Sequence, residues 1–427
     1  MWGALIAGCV LAAAACAQSD SSALLNRLTA KVLGTVDRLP RYMCTETIDR
    51  YQYQSVGKGG SCDPATQHKT HLTTADRLRL DVAVAEGREM YSWVGESHFE
   101  DRSLFELVNN GALSTGSFFA FLTVVFRHDN QGFADRGPVT ENGRQLEAFD
   151  FRVPKAVSHY QYAGAGVRVM TGYYGTILVD PQTADLVRLE VHTDDLPAET
   201  ETCRSSSILD YTRLRLNDAD FLLPSRSELQ IYEKDGGELR NITVFSGCHE
   251  FLGESTLHFD EAPDAAVAVG AIAESGGAVP AGIAFQLSFP ASLDPDKSAA
   301  GDKITATLTS PLRGPNRQVL APKGATVPLR ILEMQHFYGA VPALRIVLQP
   351  ESVEVQGRSR RLVAGPDTRP VPMVHPPSAP RRNQFSVQVM EDNQHPHAGV
   401  LLFLNVSEHF KVPAGFESRW LTGAHKQ

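Results

Sequence analysis

The hydrophobic pattern near the start of the chain is helical. Leu24, Leu28, Val32 and Val36 recur at intervals of four residues, which places their side chains on one face of an α-helix. Two serines ahead of this run can cap the helix, and Pro40 cannot continue it. The pattern therefore predicts an amphipathic helix that ends before Pro40.

Beyond this helix, apolar residues alternate with polar ones at every second position, as they do in β-strands. One predicted hairpin joins residues 173–179 to 186–191, and another joins 228–232 to 239–245. The second hairpin has an Asp-Gly turn, whose residues tolerate the positive φ angles of a tight turn. Residues 42–260 are therefore predicted to form mostly one antiparallel sheet with helices on one side.

An apolar segment interrupts these strands between residues 104 and 126, and glycines divide it into two short helices. Beside a curved sheet, its side chains could line a cavity that holds an acyl chain, with few polar groups to set specificity. The same side chains can instead form a filled core, which is the commoner arrangement for aromatic residues beside a sheet. The candidate cavity residues are Tyr91, Trp93, Phe118, Phe119, Phe121, Leu122 and Val125.

A change of composition divides the chain into two units. Between residues 261 and 281, alanine, glycine, glutamate and proline replace large apolar residues, as in a linker. A chain of 427 residues also exceeds the size at which one core stops growing. We expect one unit at 18–260 and a second at 282–425, with a proline-rich insertion at 364–382 that cannot hold regular hydrogen bonds.

Residues 4–15 are uncharged and apolar, but they are too few to span a bilayer as a helix. Ala15 and Ala17 flank Cys16 in the pattern of a signal-peptidase site, which predicts a signal peptide at 1–17. A second interpretation takes the residues up to Cys16 as a lipobox, so that Cys16 is acylated and tethers the protein to a membrane. The leader therefore predicts a periplasmic or secreted protein, or one that is lipid-anchored through Cys16.

Four cysteines follow the leader, an even number in a chain predicted to be exported. Because exported proteins usually pair such cysteines, two disulfides are expected. Among the three pairings that four cysteines allow, we prefer Cys44–Cys62 with Cys203–Cys248, since each joins neighbouring predicted strands through a short loop. Free buried thiols are the alternative, and zinc-site spacing such as CxxC is absent from the sequence.

The element order of the N-terminal half resembles a known family. A leading helix, a long antiparallel sheet, an apolar helical plug and the closing run LLPSRSE at residues 222–228 follow one another. This order is similar to the LolA/LolB type of lipoprotein carrier, in which a curved, unclosed barrel wraps a helix-lined apolar cavity and carries acyl chains through the periplasm. The resemblance implies the same fold here, with a lipid or lipoprotein as the ligand.

The C-terminal half carries a second resemblance. Residues 301–308, the run 319–327 with its Pro-Lys-Gly turn, and a long strand around 346–348 follow one another. They resemble the small β-barrel of TrbI-type conjugation proteins, in which a strand, a Pro-x-Gly turn and a paired strand recur. The expected fold is therefore mainly β (α+β), an antiparallel half-barrel with packed helices followed by a small β-barrel-like domain.

Catalytic and cofactor motifs are missing from the sequence. It contains no GxxxxGK[ST] phosphate loop, no GxSxG nucleophile elbow and no HExxH zinc motif. We therefore expect a non-catalytic protein with no cofactor and no metal. The net charge of -9 is mild for this length, and the aromatic residues lie at strand spacing among acidic neighbours, so we expect no nucleic-acid partner.

Two polar clusters have side chains of the kinds that ligate metals. Asp194, Asp195 and the acidic residues between 199 and 201 could bind calcium through their oxygens, or could simply form a solvated loop. His395 and His397 lie in a polar loop and are interpreted as a solvated surface pair.

Together these observations predict an exported, non-catalytic protein of a bacterial cell envelope. Its N-terminal half-barrel would bind a lipid or another apolar ligand. The alternative is a structural or assembly module whose C-terminal barrel docks onto another envelope protein, through the proline-rich insertion or the tail at residues 416–420.

Overall fold

The protein is mainly antiparallel β-structure with helices on one face, as the sequence predicts. The computed structural model describes residues 4–57, 62, 69–85, 87–96, 99, 104–108, 110–116, 118–127, 132–250, 278–369 and 385–423. Side chains are described from residue 20 onward.

All helices of the described residues belong to the N-terminal unit. They are α1 (Ala4–Arg38), α2 (Leu104–Leu107), α3 (Ala120–Arg127) and α4 (Lys155–Ser158), with a 3-10 turn at Ala198–Thr200. The strands of the same unit are β1 (Tyr42–Ser55), β2 (Thr70–Ala85), β3 (Arg88–Trp93), β4 (Ala134–Glu141), β5 (Arg144–Val153), β6 (Tyr160–Gly164), β7 (Val167–Thr171), β8 (Tyr173–Val179), β9 (Leu186–Thr193), β10 (Thr202–Leu216), β11 (Ala219–Glu233) and β12 (Glu238–Glu250).

The strands of the C-terminal unit are β13 (Ala284–Ser288), β14 (Lys303–Leu308), β15 (Leu312–Arg313), β16 (Val319–Ala321), β17 (Thr326–Phe337), β18 (Ala343–Pro350), β19 (Ser352–Val355), β20 (Arg358–Arg361), β21 (Ala364–Pro366), β22 (Ser386–Glu391), β23 (Gly399–Leu404) and β24 (Glu417–Thr422).

The N-terminal sheet has the strand order β4-β5-β8-β9-β10-β11-β12-β1-β2-β3, and every pair is antiparallel. Both predicted hairpins are present, as β8–β9 and β11–β12. The first strand of the unit, β1, lies between β12 and β2. Strands that are far apart in sequence are therefore neighbours at the centre of this sheet.

The alternation along β1 defines the inner, concave face of the sheet. Tyr42, Cys44, Glu46, Ile48 and Arg50 are buried, and the residues between them are only partly buried. Two of these five inward positions carry ionisable side chains, which is unusual for the buried face of a sheet.

Helix α1 covers part of this concave face. Leu24, Leu28 and Val32 are buried and pack in one core cluster with Phe121 and Val125 of α3. The helix ends at Arg38, ahead of Pro40, so the predicted amphipathic helix is confirmed. Its backbone continues back to Ala4, and the signal peptide at 1–17 stays a prediction.

Both disulfides are formed, but with a pairing different from the expected one. Cys44 is bonded to Cys248, and Cys62 is bonded to Cys203. The preference for short loops was wrong because β1 pairs with β12, so that the Cα atoms of Cys44 and Cys248 lie 4.0 Å apart across 204 residues of sequence. All four cysteines beyond residue 17 are thus paired, which indicates an oxidising, extracytoplasmic compartment.

The C-terminal unit continues the antiparallel sheet around a core of its own. Its ladder runs β22-β23-β18-β17-β14-β13-β24-β21, and no pairing between the described strands closes it. The tail expected to contact a partner is instead interior: Phe416 packs against the core, and Trp420 on β24 is only 1 % exposed. The tail is therefore corrected from a docking segment to a core strand.

The two units are joined by β-sheet hydrogen bonds. Residues 74–76 of β2 pair with 335–337 of β17. The Arg79 amide donates to the carbonyl of Ala300 at 2.7 Å, and the Ala300 amide donates to the carbonyl of Arg77 at 2.8 Å. The stretch of β2 that β3 leaves unpaired thus continues directly into the C-terminal unit.

The predicted linker and insertion fall largely outside the described residues, at 251–277 and 370–384. Their boundaries stay predictions, except that the first residues of the insertion form β21 and so do hold strand hydrogen bonds. Across the portion of the chain that the structure covers, no helix is long and apolar enough to cross a bilayer.

Candidate functional site

The candidate cavity residues fall into two packed clusters. Tyr91 and Phe118 are buried in one cluster, and Phe121, Leu122 and Val125 are buried in another. Trp93 and Phe119 are partly buried at the edge of the first cluster. In this structure the seven side chains form filled core, and their role in binding a ligand stays a prediction.

Edge-to-face ring contacts show how tightly this core is packed. The Phe118 ring lies 4.9 Å from that of Phe245 and 5.7 Å from that of Tyr42, in both cases edge to face. The Phe121 ring meets Tyr173 in the same way at 5.6 Å. Such pairs stabilise beyond the area they bury, by about 0.5–1.5 kcal/mol each.

The apolar segment at residues 104–127, which we call the plug, lies over the concave face. Between the plug and the sheet is a cavity of about 10 Å³, large enough for one water-sized group. Ser114 and Phe121 of the plug form its roof, and its floor includes Glu46, Ser207 and Asn241 on three different strands. We call this space the plug cavity.

Glu46 is the most unusual group of the plug cavity. The residue is 5 % exposed, and its Oε2 has no hydrogen-bond partner among the described residues. Burial, followed by the negative charge of Glu89, raises the pKa of Glu46 to about 8. Glu46 is therefore protonated at neutral pH and can donate a hydrogen bond.

Ser207 faces the same space from β10. It is also 5 % exposed, and its Oγ likewise finds no partner within the described chain. A buried polar atom without a partner costs about 1–3 kcal/mol, so two such atoms beside one cavity indicate a site for a hydrogen-bonding group.

Glu89 on β3 fixes the middle of the plug. Its carboxylate accepts hydrogen bonds from the backbone amides of Gly116, at 2.7 Å, and Phe118, at 3.1 Å. The Tyr91 hydroxyl donates to the same carboxylate at 2.7 Å. Gly116 has a φ of +86°, and a Cβ there would lie 2.9 Å from that of Ala120, so this position requires glycine.

Arg50 on β1 fixes the segment of the plug that follows α2. Its guanidinium forms a two-point ion pair with Asp76 on β2, at 2.7 and 2.5 Å. It also donates to the backbone carbonyl of Asn110 at 2.5 Å and to the side-chain oxygen of Asn110 at 3.1 Å. A Cβ on Gly111, whose φ is +75°, would lie 2.5 Å from Nη1 of Arg50, so this position also excludes larger residues.

Asn241 on β12 supplies a third polar contact, because its Nδ2 donates to the carbonyl of Ala112 at 2.7 Å. The plug is therefore held by polar contacts at residues 110, 112, 116 and 118, and by apolar packing through α3. Hydrogen bonds of this kind contribute about 1 kcal/mol each and can break one at a time.

Other polar groups lie buried on the concave face. Among the described residues, the hydroxyls of Tyr42, Tyr173 and Tyr211 have no hydrogen-bond partner. Burial, and after it the charge of Glu89, raises the pKa of Tyr42 and of Tyr211, so both remain neutral. The interior beneath the plug therefore contains uncharged hydrogen-bonding groups embedded in apolar surroundings.

The acidic residues at 194–201 and the histidines at 395 and 397 do not gather into a metal site in the described structure. Within the described ranges no group of three or more His, Cys, Asp or Glu side chains could hold a metal ion. Asp194 is instead paired with Arg152 at 2.7 Å. His395 differs from its expected role as a solvated surface residue, because it is partly buried and bonded to the carboxylate of Asp392, while His397 is exposed.

Sequence reasoning missed Glu46, Arg50 and Glu89. The sequence did contain a signal for Glu46 and Arg50, because they occupy inward-facing positions of β1 that alternate with partly exposed ones and are otherwise apolar. Glu89 gave no such signal because its partners lie 27 and 29 residues away in the plug.

No family model matches the chain, and no curated protein matches it. Solved structures similar to it include a LolA superfamily protein from Nitrosomonas europaea, with 7 % identity and a TM-score of 0.25, over 54 % of this chain and 93 % of that chain. Mycobacterium tuberculosis lipoprotein LppX has 11 % identity and a TM-score of 0.20, over 55 % of this chain and 99 % of that chain.

The structure of the Pseudomonas aeruginosa MucA/MucB complex is similar over more of the chain. It covers 91 % of this chain and 94 % of that chain, at 12 % identity and a TM-score of 0.17. TM-scores this low carry no inference about ligand or partner. The resemblance of the C-terminal unit to TrbI-type proteins stays a prediction.

Proposed function

We propose that the N-terminal unit is a non-catalytic binder of an amphiphilic, mainly apolar ligand such as a lipid. The ligand enters between the concave face and the plug when the plug moves away from the sheet. The observation that carries the proposal is the plug cavity, where Glu46 and Ser207 present unpartnered polar atoms directly beneath a removable roof.

The first support is the way the plug is attached. Its contacts with Arg50, Glu89 and Asn241 are individual hydrogen bonds to groups on the sheet. Breaking them separates the plug from the sheet without interrupting any strand pair. The strand ladder around the site can therefore stay intact while the roof moves.

The second support is the apolar surface that the plug buries. α3 buries Phe121, Leu122, Val125 and Phe126 against the sheet and α1. If the plug moves outward, the apolar surface it leaves must be covered again, since exposing it costs about 25 cal/mol per Å². An acyl chain has the shape and chemistry to replace these side chains.

The test is native mass spectrometry of the protein, exported by a bacterial host and purified without detergent, combined with organic extraction. We expect a bound amphiphile that the solvent releases, and rebinding when the extracted protein meets phospholipid vesicles. Protein that is bare after purification and takes up no lipid from vesicles would overturn the proposal.

A second candidate function concerns the C-terminal unit. β22 pairs only with β23 among the described strands, and its Val389 and Met390 are each 37 % exposed. Exposed apolar residues on such a strand favour addition of an extended segment from another envelope protein. Changing Val389 to Lys would abolish such pairing in a pull-down, and leave lipid uptake by the N-terminal unit unchanged.

A further inference from the structure

The chemistry of the plug cavity narrows the class of ligand. We propose that the ligand's polar group is uncharged, a hydroxyl or an ester or amide carbonyl, and that it occupies the plug cavity between Glu46 and Ser207. This inference rests on the proposed function, because the acyl part of the ligand lies where the plug now packs.

The donors and acceptors of the plug cavity fit such a group. The protonated carboxyl of Glu46 offers a hydrogen-bond donor, and the Ser207 hydroxyl can donate or accept. Both atoms lack partners among the described residues, and both residues are at least nine-tenths buried. A hydroxyl or carbonyl oxygen of a ligand in the cavity can accept a hydrogen bond from either of these groups.

The size of the cavity agrees with this assignment. With the plug in place, its volume of about 10 Å³ admits one oxygen-sized group.

The electrostatics disfavour a charged group. No Lys or Arg is among the residues that line the plug cavity. The inward-facing guanidinium of Arg50 is already engaged by Asp76 and Asn110. An anion would meet the carboxylate of Glu89 nearby without a compensating cation, and burying an unpaired charge is costly.

A cationic headgroup meets a different obstacle. It would need Glu46 to give up its proton in order to form an ion pair, whereas burial and the charge of Glu89 both favour the protonated form. Glu89 cannot easily substitute, because its carboxylate already accepts hydrogen bonds from two plug amides and from the Tyr91 hydroxyl. Glu228, which also lines the cavity, is already paired with two arginines.

The experiment is calorimetric titration of the full chain with three single-chain probes of equal length, each below its micelle concentration. They are dodecanoyl glycerol, which is neutral, dodecanoate, which is anionic, and dodecyltrimethylammonium, which is cationic. We expect the neutral probe to bind at least about tenfold more tightly than either charged probe, a difference of about 1.4 kcal/mol.

Substitutions in β1 test whether the ligand's polar group lies beside Glu46. Glu46→Leu should weaken binding of the neutral probe about tenfold, because it removes one hydrogen bond inside the cavity. Glu46→Gln, which keeps a neutral hydrogen-bonding group, should retain binding. Thr47→Val is the matched control, since Thr47 is the next residue of β1 and points to the opposite face.

The outcomes separate the inference from the proposed function. If no probe binds, the proposed function fails. If a charged probe binds as tightly as the neutral one, or if Glu46→Leu leaves the neutral probe's affinity unchanged, the proposed function stands and the uncharged site is wrong. Far-ultraviolet circular dichroism of each variant excludes loss of fold as the cause.

Discussion

Arg50 and Asn110 are joined by two hydrogen bonds, one to the backbone carbonyl and one to the side-chain oxygen of Asn110. The same guanidinium is held by Asp76, and both charged side chains are nearly inaccessible, at 7 % and 6 % exposed. A buried ion pair on the sheet therefore positions the part of the plug around Asn110.

This arrangement has a matched control on the same two strands. Asp49 and Arg77 are at the adjacent register position, point to the opposite face, and are 27 % and 26 % exposed. We expect Asp76→Asn to lower the free energy of unfolding by about 3–5 kcal/mol, because it leaves the Arg50 charge buried without a partner. Asp49→Asn should cost at most about 1 kcal/mol.

Urea unfolding of both variants measures the difference. Equal destabilisation by the two substitutions would show that Arg50 and Asp76 are not held in the buried arrangement described above. Faster amide exchange in residues 110–116 of Asp76→Asn alone would connect the ion pair to the plug.

The raised pKa of Glu46 predicts a pH dependence of stability. Its folded pKa is about 8 against a usual value of 4.5, so the folded state holds a proton that the unfolded state has lost between these pH values. The stabilisation is fully present below pH 4.5 and is lost as the pH rises through about 8. The free energy of unfolding should thus fall over this window, by up to about 1.4 kcal/mol per pH unit.

Glu46→Gln should remove this slope, since glutamine cannot ionise. Thermal unfolding from pH 5 to pH 9 compares the variant with the parent, with the exposed Glu354→Gln as the control. A parent whose stability does not fall above pH 5, or a Glu46→Gln variant with the same slope as the parent, would show that Glu46 is not the buried acid.

The disulfide pairing predicts a specific peptide map. Digestion without reduction should yield peptides that link Cys44 to Cys248 and Cys62 to Cys203. Replacing both Cys44 and Cys248 with alanine should lower the free energy of unfolding by about 2–5 kcal/mol, because the bond closes a very long loop. Recovery of a peptide that joins Cys44 to Cys62 would contradict the β1–β12 pairing.

The contacts of Arg330 predict how strongly this residue stabilises the junction between the two units. Its side chain is 3 % exposed, pairs with Glu96 and Glu351, and donates to the carbonyls of Val94 and Gly301. Arg330→Met should cost about 2–3 kcal/mol, since several charged hydrogen bonds are lost while the two carboxylates keep partial access to water.

Lys303 offers the comparison for this junction. It pairs with the same Glu351 from an exposed position, with 45 % of its side chain accessible, so Lys303→Met should cost well under about 1 kcal/mol. Guanidinium unfolding of the two variants, followed by tryptophan fluorescence, measures both costs. Similar losses in the two variants would show that Arg330 does not secure the junction.

Local sequence patterns predicted the elements that depend on near neighbours. The spacing of Leu24, Leu28 and Val32 predicted α1, and strand alternation with an Asp-Gly turn predicted the β11–β12 hairpin. These signals work because helix faces and tight turns are set by residues close in sequence.

The parts that were missed depend on contacts between distant residues. Cys44 meets Cys248 because β1 pairs with the last strand of its unit. Similarly, residues 335–337 pair with residues 74–76 of β2. The residues close to these strands in sequence do not indicate which distant strand each will pair with. The polar interior of the plug cavity was missed for the same reason, because Glu46 and Ser207 come together only across four strands.

Hydrogen exchange of the full chain, with and without dodecanoyl glycerol, tests most directly whether the plug is a movable roof over a ligand site. We expect amides at residues 118–127 to exchange through local opening faster than those of β10 and β11, and to change protection when the ligand binds, while β17 and β18 do not change. Plug amides that exchange as slowly as the sheet, and that do not respond to a bound ligand, would contradict the account.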